Sequence, residues 1–128
     1  MNRVVLDASA ILAVISGEPG SEKLTPDLLA RAVSSTVNLA EVQGKLVSRG
    51  WASEQAWEDA TSPVREIMSF DEEHARIAGD LVIQTQHLGL SLADRACLAL
   101  GLSLRAPVYT ADKAWKKLKV SVKIHAIR

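Results

Sequence analysis

Four acidic residues stand beside apolar or strand-like segments and could share a metal ion. They are Asp7, Glu41, Asp94 and Asp112. Carboxylates in one cavity repel each other by on the order of 4 kcal/mol per pair at 4 Å and an effective dielectric constant of 20, so a cation must lie between them. No histidine or cysteine is comparably placed, and an oxygen-only ligand set suits Mg²⁺ or Mn²⁺ rather than Zn²⁺.

Such a metal site has a characteristic chemistry. A bound Mg²⁺ or Mn²⁺ lowers the pKa of an attacking water, orients it in line with a phosphorus atom and offsets charge on the leaving oxygen. These are the requirements of phosphodiester hydrolysis. The acidic residues therefore predict metal-dependent nuclease chemistry.

Alternating β and α segments are predicted to position these acids. The apolar run at residues 4–6 is typical of a strand buried on both faces, and the helix expected at residues 8–15 follows it directly. The alternation predicts an α/β fold with a parallel sheet and helices on both faces. Further strands are predicted at residues 32–35, 67–70, 107–109 and 122–127, and further helices at 24–32, from 39 to Gly50, from Ser53, from Asp71 through Val82, from Ser91 to 104, and at 112–118.

The four acids are expected at one edge of this sheet. Asp7 follows the first strand, and Asp112 lies three residues after Tyr109 at the end of a later strand. Glu41 and Asp94 lie in the first turns of helices. Because ligands of open parallel sheets bind beyond the carboxyl ends of the strands, we expect the four side chains to point into one hollow.

Each acid also has an alternative role as a helix cap. Asp7, Asp94 and Asp112 could each accept a hydrogen bond from a free amide at a helix start, and Glu41 could complete a capping box with Asn38. Apolar residues flank Glu41 and Asp94, however. Because a buried carboxylate needs a cation, these flanks favour the metal site when the four acids are taken together.

Four segments of the chain resemble the acidic motifs of PIN-domain ribonucleases, and most closely those of VapC toxins from bacterial toxin–antitoxin pairs. Their order and spacing match over nearly the whole chain. The fourth has the T-x-D-x-x-F/W pattern. The segments are residues 4–10, 38–42, 92–100 and 109–115.

The resemblance implies a PIN-like three-layer α/β/α sandwich with a central, mostly parallel sheet. It also implies Mg²⁺- or Mn²⁺-dependent endonucleolytic cleavage of RNA, homodimerisation, and inhibition by a VapB-type antitoxin whose tail enters the active-site groove. By the same resemblance Asp7, Asp94 and Asp112 would be metal ligands, and Glu41 a ligand or the residue that orients the water.

Auxiliary roles follow for Ser9 and Thr110, through hydroxyl contacts to metal-bound water or to the Asp7 carboxylate. Further acids are scarce near Asp112, where Lys113 and Lys116 stand instead. The number of metal ions, one or two, therefore stays open.

The charges of the chain are unevenly distributed although the net charge is zero. Residues 1–94 carry 7 basic and 14 acidic groups, whereas residues 95–128 carry 8 basic and 1 acidic group. Lys113, Lys116 and Lys117 directly follow Asp112, where a phosphate backbone could rest. A solvated helix face is the alternative for these lysines. Arg95, beside Asp94, either contacts RNA or pairs with an acid.

Length and composition predict one soluble domain spanning residues 1–128. The chain is 48% hydrophobic and 23% charged, which suits a packed core, and its apolar stretches are far shorter than the roughly 20 residues that span a bilayer. No signal-peptide pattern is present, and Cys97 is the single cysteine. A reducing, cytoplasmic location is therefore expected.

Two other classes of function compete with a nuclease. One is a catalytically silent module whose acidic pocket binds an antitoxin or another partner. The other is a phosphotransfer domain, since receivers and haloacid-dehalogenase-type phosphatases also place an Asp after a strand. Ser9 stands where such a phosphatase has its second Asp, which disfavours that class.

Overall fold

The computed structural model describes residues 2–128 and contains one parallel sheet of five short strands. The strand order is β3-β2-β1-β4-β5, and each neighbouring pair is parallel. This arrangement confirms the predicted α/β class. The strands are β1 (Val4–Leu6), β2 (Ala32–Ser35), β3 (Glu66–Met68), β4 (Val108–Thr110) and β5 (Ile124–Ala126).

Helices connect the strands. The α-helices are α1 (Ala8–Ser16), α2 (Pro26–Leu29), α3 (Thr36–Ser48), α4 (Ser53–Thr61), α5 (Glu72–Asp80), α6 (Val82–Thr85) and α7 (Leu92–Leu104). Three 3₁₀ turns cover Ser21–Lys23, Gln86–Leu88 and Lys113–Lys117. Within residues 2–128, none of these helices has the length and apolar character that a membrane crossing requires.

The sheet separates two apolar clusters, because successive side chains of a strand point to opposite faces. Val4 and Leu6 pack into the cluster beneath α1, α3 and α4, whereas Val5 packs into the cluster beneath α7. All three side chains are at most 1% exposed. Burial on both faces explains the continuous apolar sequence of β1 and gives the three layers of the predicted sandwich.

A glycine lets α7 lie close against the sheet. An added Cβ on Gly101 would be 2.6 Å from Val108 Cγ2 and 2.9 Å from Val122 Cγ2. These distances are too short for carbon atoms in contact, so only glycine fits at this crossing. The close approach fixes the height of α7 above the sheet.

Several predicted elements are shorter in the structure. The helix expected at residues 24–32 covers only Pro26–Leu29, because Arg31 and Ala32 already pair with β1. The helix expected through Val82 ends at Asp80, and a separate short helix follows. The final strand is Ile124–Ala126 rather than residues 122–127. Sheet pairing and tertiary packing override the local helical preferences in these places.

The predicted cap at Ser53 is wrong, and the alternative cap considered for Glu41 is absent. Ser53 is the first residue of α4, and Ala52 occupies the cap position without a side-chain hydrogen bond. Ser35 rather than Asn38 caps α3, through a 3.2 Å bond from the Val37 amide to its hydroxyl. Asn38 therefore lies inside the helix, and the alternative role of Glu41 in a capping box with Asn38 does not apply.

Candidate metal centre

Asp7 is the most buried of the four acids and lies where β1 ends and α1 begins. Its side chain is 4% exposed, and its Oδ1 accepts hydrogen bonds from the Ala10 amide at 2.8 Å and the Ser9 hydroxyl at 2.7 Å. Its Oδ2 accepts from the Thr110 hydroxyl at 2.6 Å. Asp7 thus caps α1 and is held in one orientation by the ends of β1 and β4.

The surroundings of Asp7 disfavour its negative charge. Burial raises the pKa of Asp7 to about 6, even though the hydrogen bonds from Thr110, Ala10 and Ser9 act to lower it, and the nearby Asp94 carboxylate raises it further. Desolvation outweighs the hydrogen bonds because it penalises only the charged form. A cation beside Asp7 would offset both unfavourable effects.

The thiol of Cys97 lies among the same charges. Cys97 is fully buried, and its pKa lies well above the usual range, first because of burial and then because of the charges of Asp7, Asp94 and Glu41. A raised pKa keeps this thiol protonated and unreactive. The charges of Asp7, Asp94 and Glu41 thus all act on one buried position of α7.

Asp94 combines a cap with a free oxygen. It forms the capping box of α7, accepting the Ser91 amide at Oδ2 (2.9 Å) while its own amide donates to the Ser91 hydroxyl (3.1 Å). The side chain is half-buried. Within residues 2–128 its Oδ1 has no hydrogen-bond partner, which leaves this oxygen available for a ligand.

Asp112 is joined to Asp7 through Thr110 rather than directly. The Asp112 amide donates to the Thr110 hydroxyl at 3.1 Å, and that hydroxyl donates to Asp7. The Asp112 side chain is exposed and caps the following 3₁₀ turn by accepting the Ala114 amide at 3.0 Å. The capping alternative therefore describes Asp7, Asp94 and Asp112, and each carboxylate has capacity left for a second ligand.

Glu41 has no capping role. It lies in the second turn of α3, is half-buried, and its Oε2 is 3.8 Å from Lys45 Nζ, one turn further along. Such a long and exposed ion pair contributes little. Glu41 is thus the acid most free to reorient.

Asn38, which sequence reasoning considered only as a cap, connects the two helices that carry Glu41 and Asp94. It is 1% exposed, and its Nδ2 donates to the Ala93 carbonyl at 3.0 Å. Its buried Oδ1 has no partner within residues 2–128. An amide inside the otherwise apolar first turns of α3, three residues before Glu41, was the available sequence signal.

The four predicted acids do not form a compact cluster of direct ligands. Among residues 2–128, no three of the predicted acids bring one oxygen each within 4.8 Å of one another. An ion held by three direct ligands at 2.0–2.1 Å would need shorter separations, but Mg²⁺ usually keeps several waters and takes one or two carboxylates. The oxygen-only donor set and the raised pKa of Asp7 fit such an ion.

A different set of three residues does bring one ligand atom each within 4.8 Å of one another. Asp71, Glu73 and His74, at the start of α5, form the one such cluster in residues 2–128. Its members have structural partners, since Asp71 caps α5 through the His74 amide and Glu73 accepts the Ser103 hydroxyl at 2.7 Å. Helix capping and packing account for this cluster.

The predicted RNA-binding cations differ in their surroundings. Lys113 and Lys116 are exposed on the 3₁₀ turn after Asp112. Lys117, with Lys119, lines a shallow cleft beside α6. The guanidinium of Arg95 donates to the Ala78 carbonyl of α5 at 2.8 Å, so it anchors α7 to α5 and does not pair with an acid.

A sequence profile of the PIN domain matches residues 4–120, which includes the whole acidic arrangement. This chain belongs to the PIN domain family. A search of curated proteins returned no significant match.

Solved structures share the fold of this PIN domain. VapBC from Salmonella typhimurium bound to DNA aligns with a TM-score of 0.77 and 16% identity over 100% of both chains. VapBC2 from Rickettsia felis with a promoter DNA fragment aligns with a TM-score of 0.74 and 21% identity over 96% of this chain and 97% of the other. VapC20 from Mycobacterium tuberculosis, a Sarcin-Ricin loop cleaving toxin, aligns with a TM-score of 0.68 and 14% identity over 89% of this chain and 93% of the other.

Proposed function

We propose that this PIN domain is a Mg²⁺- or Mn²⁺-dependent endoribonuclease and the VapC-type toxin of a toxin–antitoxin pair. The observation that carries the proposal is Asp7, which is almost fully buried, held by two hydroxyls, and close enough to Asp94 for that charge to raise its pKa. A structural cap has no need of a second carboxylate nearby. VapC20, which shares this fold, cleaves the Sarcin-Ricin loop.

Each residue of the site has its own role in the proposed reaction. When bound, the metal would activate a water and stabilise the negative charge that develops on the phosphate. Asp7, Asp94 and Asp112 would hold the ion, and Ser9 and Thr110 fix the Asp7 oxygens. Glu41, which has no cap to maintain, would orient the attacking water and accept its proton.

Cations near the site would bind the RNA. Lys113, Lys116 and Lys117 would contact phosphates beyond Asp112, where their exposure leaves them free to do so. Arg95 would reach RNA only after release from the Ala78 carbonyl. The lysines are thus the principal candidates for substrate contact at this edge.

A VapB-type antitoxin and a second copy of the chain are the proposed protein partners. The neighbours from Salmonella typhimurium and Rickettsia felis are VapBC complexes. Here Val47, Trp51 and Trp57 leave 44%, 37% and 43% of their surfaces exposed around α3 and α4. Exposed tryptophans are enriched at protein interfaces, so this face suits one of the two partners.

Cleavage of a structured RNA tests the enzyme. Purified protein, free of antitoxin, should cut RNA with Mg²⁺ or Mn²⁺ and stop with EDTA. Asp7→Asn and Asp94→Asn keep the cap acceptors but remove the charge, and should each lower the rate by more than about 100-fold, since even changes to partners of metal ligands cost about 10- to 100-fold. Asp80→Asn, at an exposed aspartate of α5, is the matched control and should cut normally. Cleavage that persists in EDTA and in both variants would refute the metal mechanism.

A catalytically silent binding module is the second candidate. It is favoured by the separation of the carboxylates and by the caps formed by Asp94 and Asp112. On this alternative, folded wild-type protein would cut no cellular RNA with any divalent metal and would still bind its antitoxin. Growth arrest on expression without the antitoxin would instead support the toxin.

A further inference from the structure

Basic residues precede all five strands at the edge of the sheet opposite Asp7. Arg3, Arg31, Arg65 and Lys123 come directly before β1, β2, β3 and β5, and Arg105 lies three residues before β4. Because all the strands are parallel, their first residues meet at one edge. We call these five residues the basic edge.

The clefts along this edge are continuous. Arg3, Arg31 and Arg65 line the first cleft, Arg3 and Arg31 line the second together with Arg105, and Arg105 lines the third together with Lys123. Neighbouring clefts share at least one of these residues. Four strand spacings of about 4.8 Å make the edge about 19 Å long.

Little negative charge balances the basic edge. Glu66 is the one acid that lines these three clefts, and Arg3 holds it with bonds of 2.7 and 3.3 Å. Arg65, Arg105 and Lys123 make no side-chain hydrogen bond or ion pair with any part of residues 2–128. Three cations are therefore available to an external anion.

The backbone of Arg105 provides an independent indication. Its φ of 54° is the one positive φ of a non-glycine residue in the described chain, and it closes α7 at a position that usually favours glycine. The left-handed conformation costs an L-residue about 1–2 kcal/mol. A cation therefore occupies a backbone position where glycine would be less strained.

Attraction to helix ends does not account for the whole edge. Cations near helix C-termini gain about 0.3–1 kcal/mol, and Arg31, Arg65 and Arg105 follow α2, α4 and α7. Arg3 and Lys123 follow no helix directly. The common property of all five residues is their place at the start of a strand.

We infer that the basic edge binds the phosphate backbone of RNA, at the edge of the sheet opposite Asp7. The inference rests on the proposed function. Arginine forks match phosphate oxygens in pairs, and an edge about 19 Å long covers several successive phosphates of a nucleic-acid strand. The four carboxylates weaken the attraction of RNA to the opposite edge, so the basic edge would add affinity to the contacts proposed for Lys113, Lys116 and Lys117.

Binding without metal separates this inference from catalysis. The affinity of a structured RNA is measured by fluorescence anisotropy in EDTA over a range of salt concentrations. The variant Arg65→Gln, Arg105→Gly, Lys123→Gln removes three cations that have no internal partner and relaxes the backbone at residue 105. The control Lys23→Gln, Arg49→Gln, Arg76→Gln removes three exposed cations elsewhere. Both variants should melt cooperatively.

The basic-edge variant should bind RNA at least about tenfold more weakly at 50 mM salt. The slope of the logarithm of its binding constant against the logarithm of salt concentration should be smaller in magnitude by about 2, since each lost phosphate contact lowers this slope by about 0.7–0.9. The control should stay within about twofold of wild type. Equal losses in both variants, no RNA binding by wild type, or equally tight binding of polyglutamate would each overturn the inference. A protein that binds RNA through this edge but cuts none would refute the proposed nuclease alone.

Discussion

At the scale of single residues, the chemistry is concentrated on Asp7. Its carboxylate accepts three hydrogen bonds, from Ser9, Ala10 and Thr110, yet burial still raises its pKa to about 6. The same residue caps α1. A residue with both roles must keep its acceptor oxygens for the fold and its charge for the metal.

The raised pKa of Asp7 predicts a pH-dependent loss of stability in the metal-free protein. Because the folded pKa lies above the ordinary value of 3.8, the stabilising effect is complete below about pH 4 and is lost as the pH rises through 6. The loss is on the order of 3 kcal/mol. In EDTA at pH 7, Asp7→Asn should therefore be more stable than wild type in urea unfolding, and the gap should close at pH 4.

Metal addition provides the control for this prediction. Mg²⁺ or Mn²⁺ that binds only the folded protein stabilises it in proportion to the logarithm of its concentration. It should raise the melting temperature of wild type and leave Asp7→Asn unchanged. If wild type is at least as stable as Asp7→Asn in urea unfolding at pH 7 in EDTA, the charge of Asp7 does not destabilise the fold.

At the scale of elements, helix starts bring the acids to the site. Asp7, Asp94 and Asp112 each cap the segment that begins beside them, so the local rules for helix caps and the proposed metal chemistry select the same residue type. The height of α7 above the sheet then depends on Gly101. Asp94 lies on the same helix, seven residues before Gly101.

Gly101→Ala should destabilise the protein by about 1–3 kcal/mol, because the added methyl overpacks against Val108 and Val122. Gly44→Ala in α3 is the matched control, since nothing lies within 4 Å of its added Cβ. It should stabilise by up to about 1 kcal/mol through helix propensity. Urea unfolding measures both, and the same sign for the two substitutions would contradict the packing argument.

At the scale of the whole molecule, the C-terminal segment closes the fold beside the site. The Ile127 amide donates to the Thr110 carbonyl at 2.9 Å, and its side chain is 1% exposed in the cluster beneath α1. An added Cβ on Gly20 would overlap the Ile127 carbonyl oxygen. Thr110, which holds Asp7, is thus supported by residues from both ends of the chain.

Ile127→Ala should cost about 2–5 kcal/mol of unfolding free energy, as expected for a large-to-small change in a core. Ile83→Ala is the control, because Ile83 is 70% exposed and its loss should change stability by less than about 0.5 kcal/mol. Chemical denaturation compares the two. A small effect at Ile127 would mean that the C-terminal segment frays without affecting the core.

The sequence predicted the features that depend on neighbouring residues. The apolar run of β1, the capping box of Ser91 and Asp94, and the cap at Asp71 are all confirmed, because strand burial and helix capping are encoded within a few residues. The predicted helix at residues 24–32 is longer than the observed Pro26–Leu29, because the prediction used only the pattern of neighbouring residues. Its local pattern is helical, but pairing with β1 decides the backbone of Ala32.

Tertiary structure decided which distant residues meet. Asn38 and Ala93 are hydrogen-bonded although they are 55 positions apart in the sequence, and Thr110 and Asp7 are hydrogen-bonded although they are 103 positions apart. The basic edge likewise gathers Arg3 and Lys123 from opposite ends of the chain. The sequence alone determined the four acids and the caps that Asp7, Asp94 and Asp112 form, whereas strand order set these contacts, because only sheet topology fixes which strand ends become neighbours.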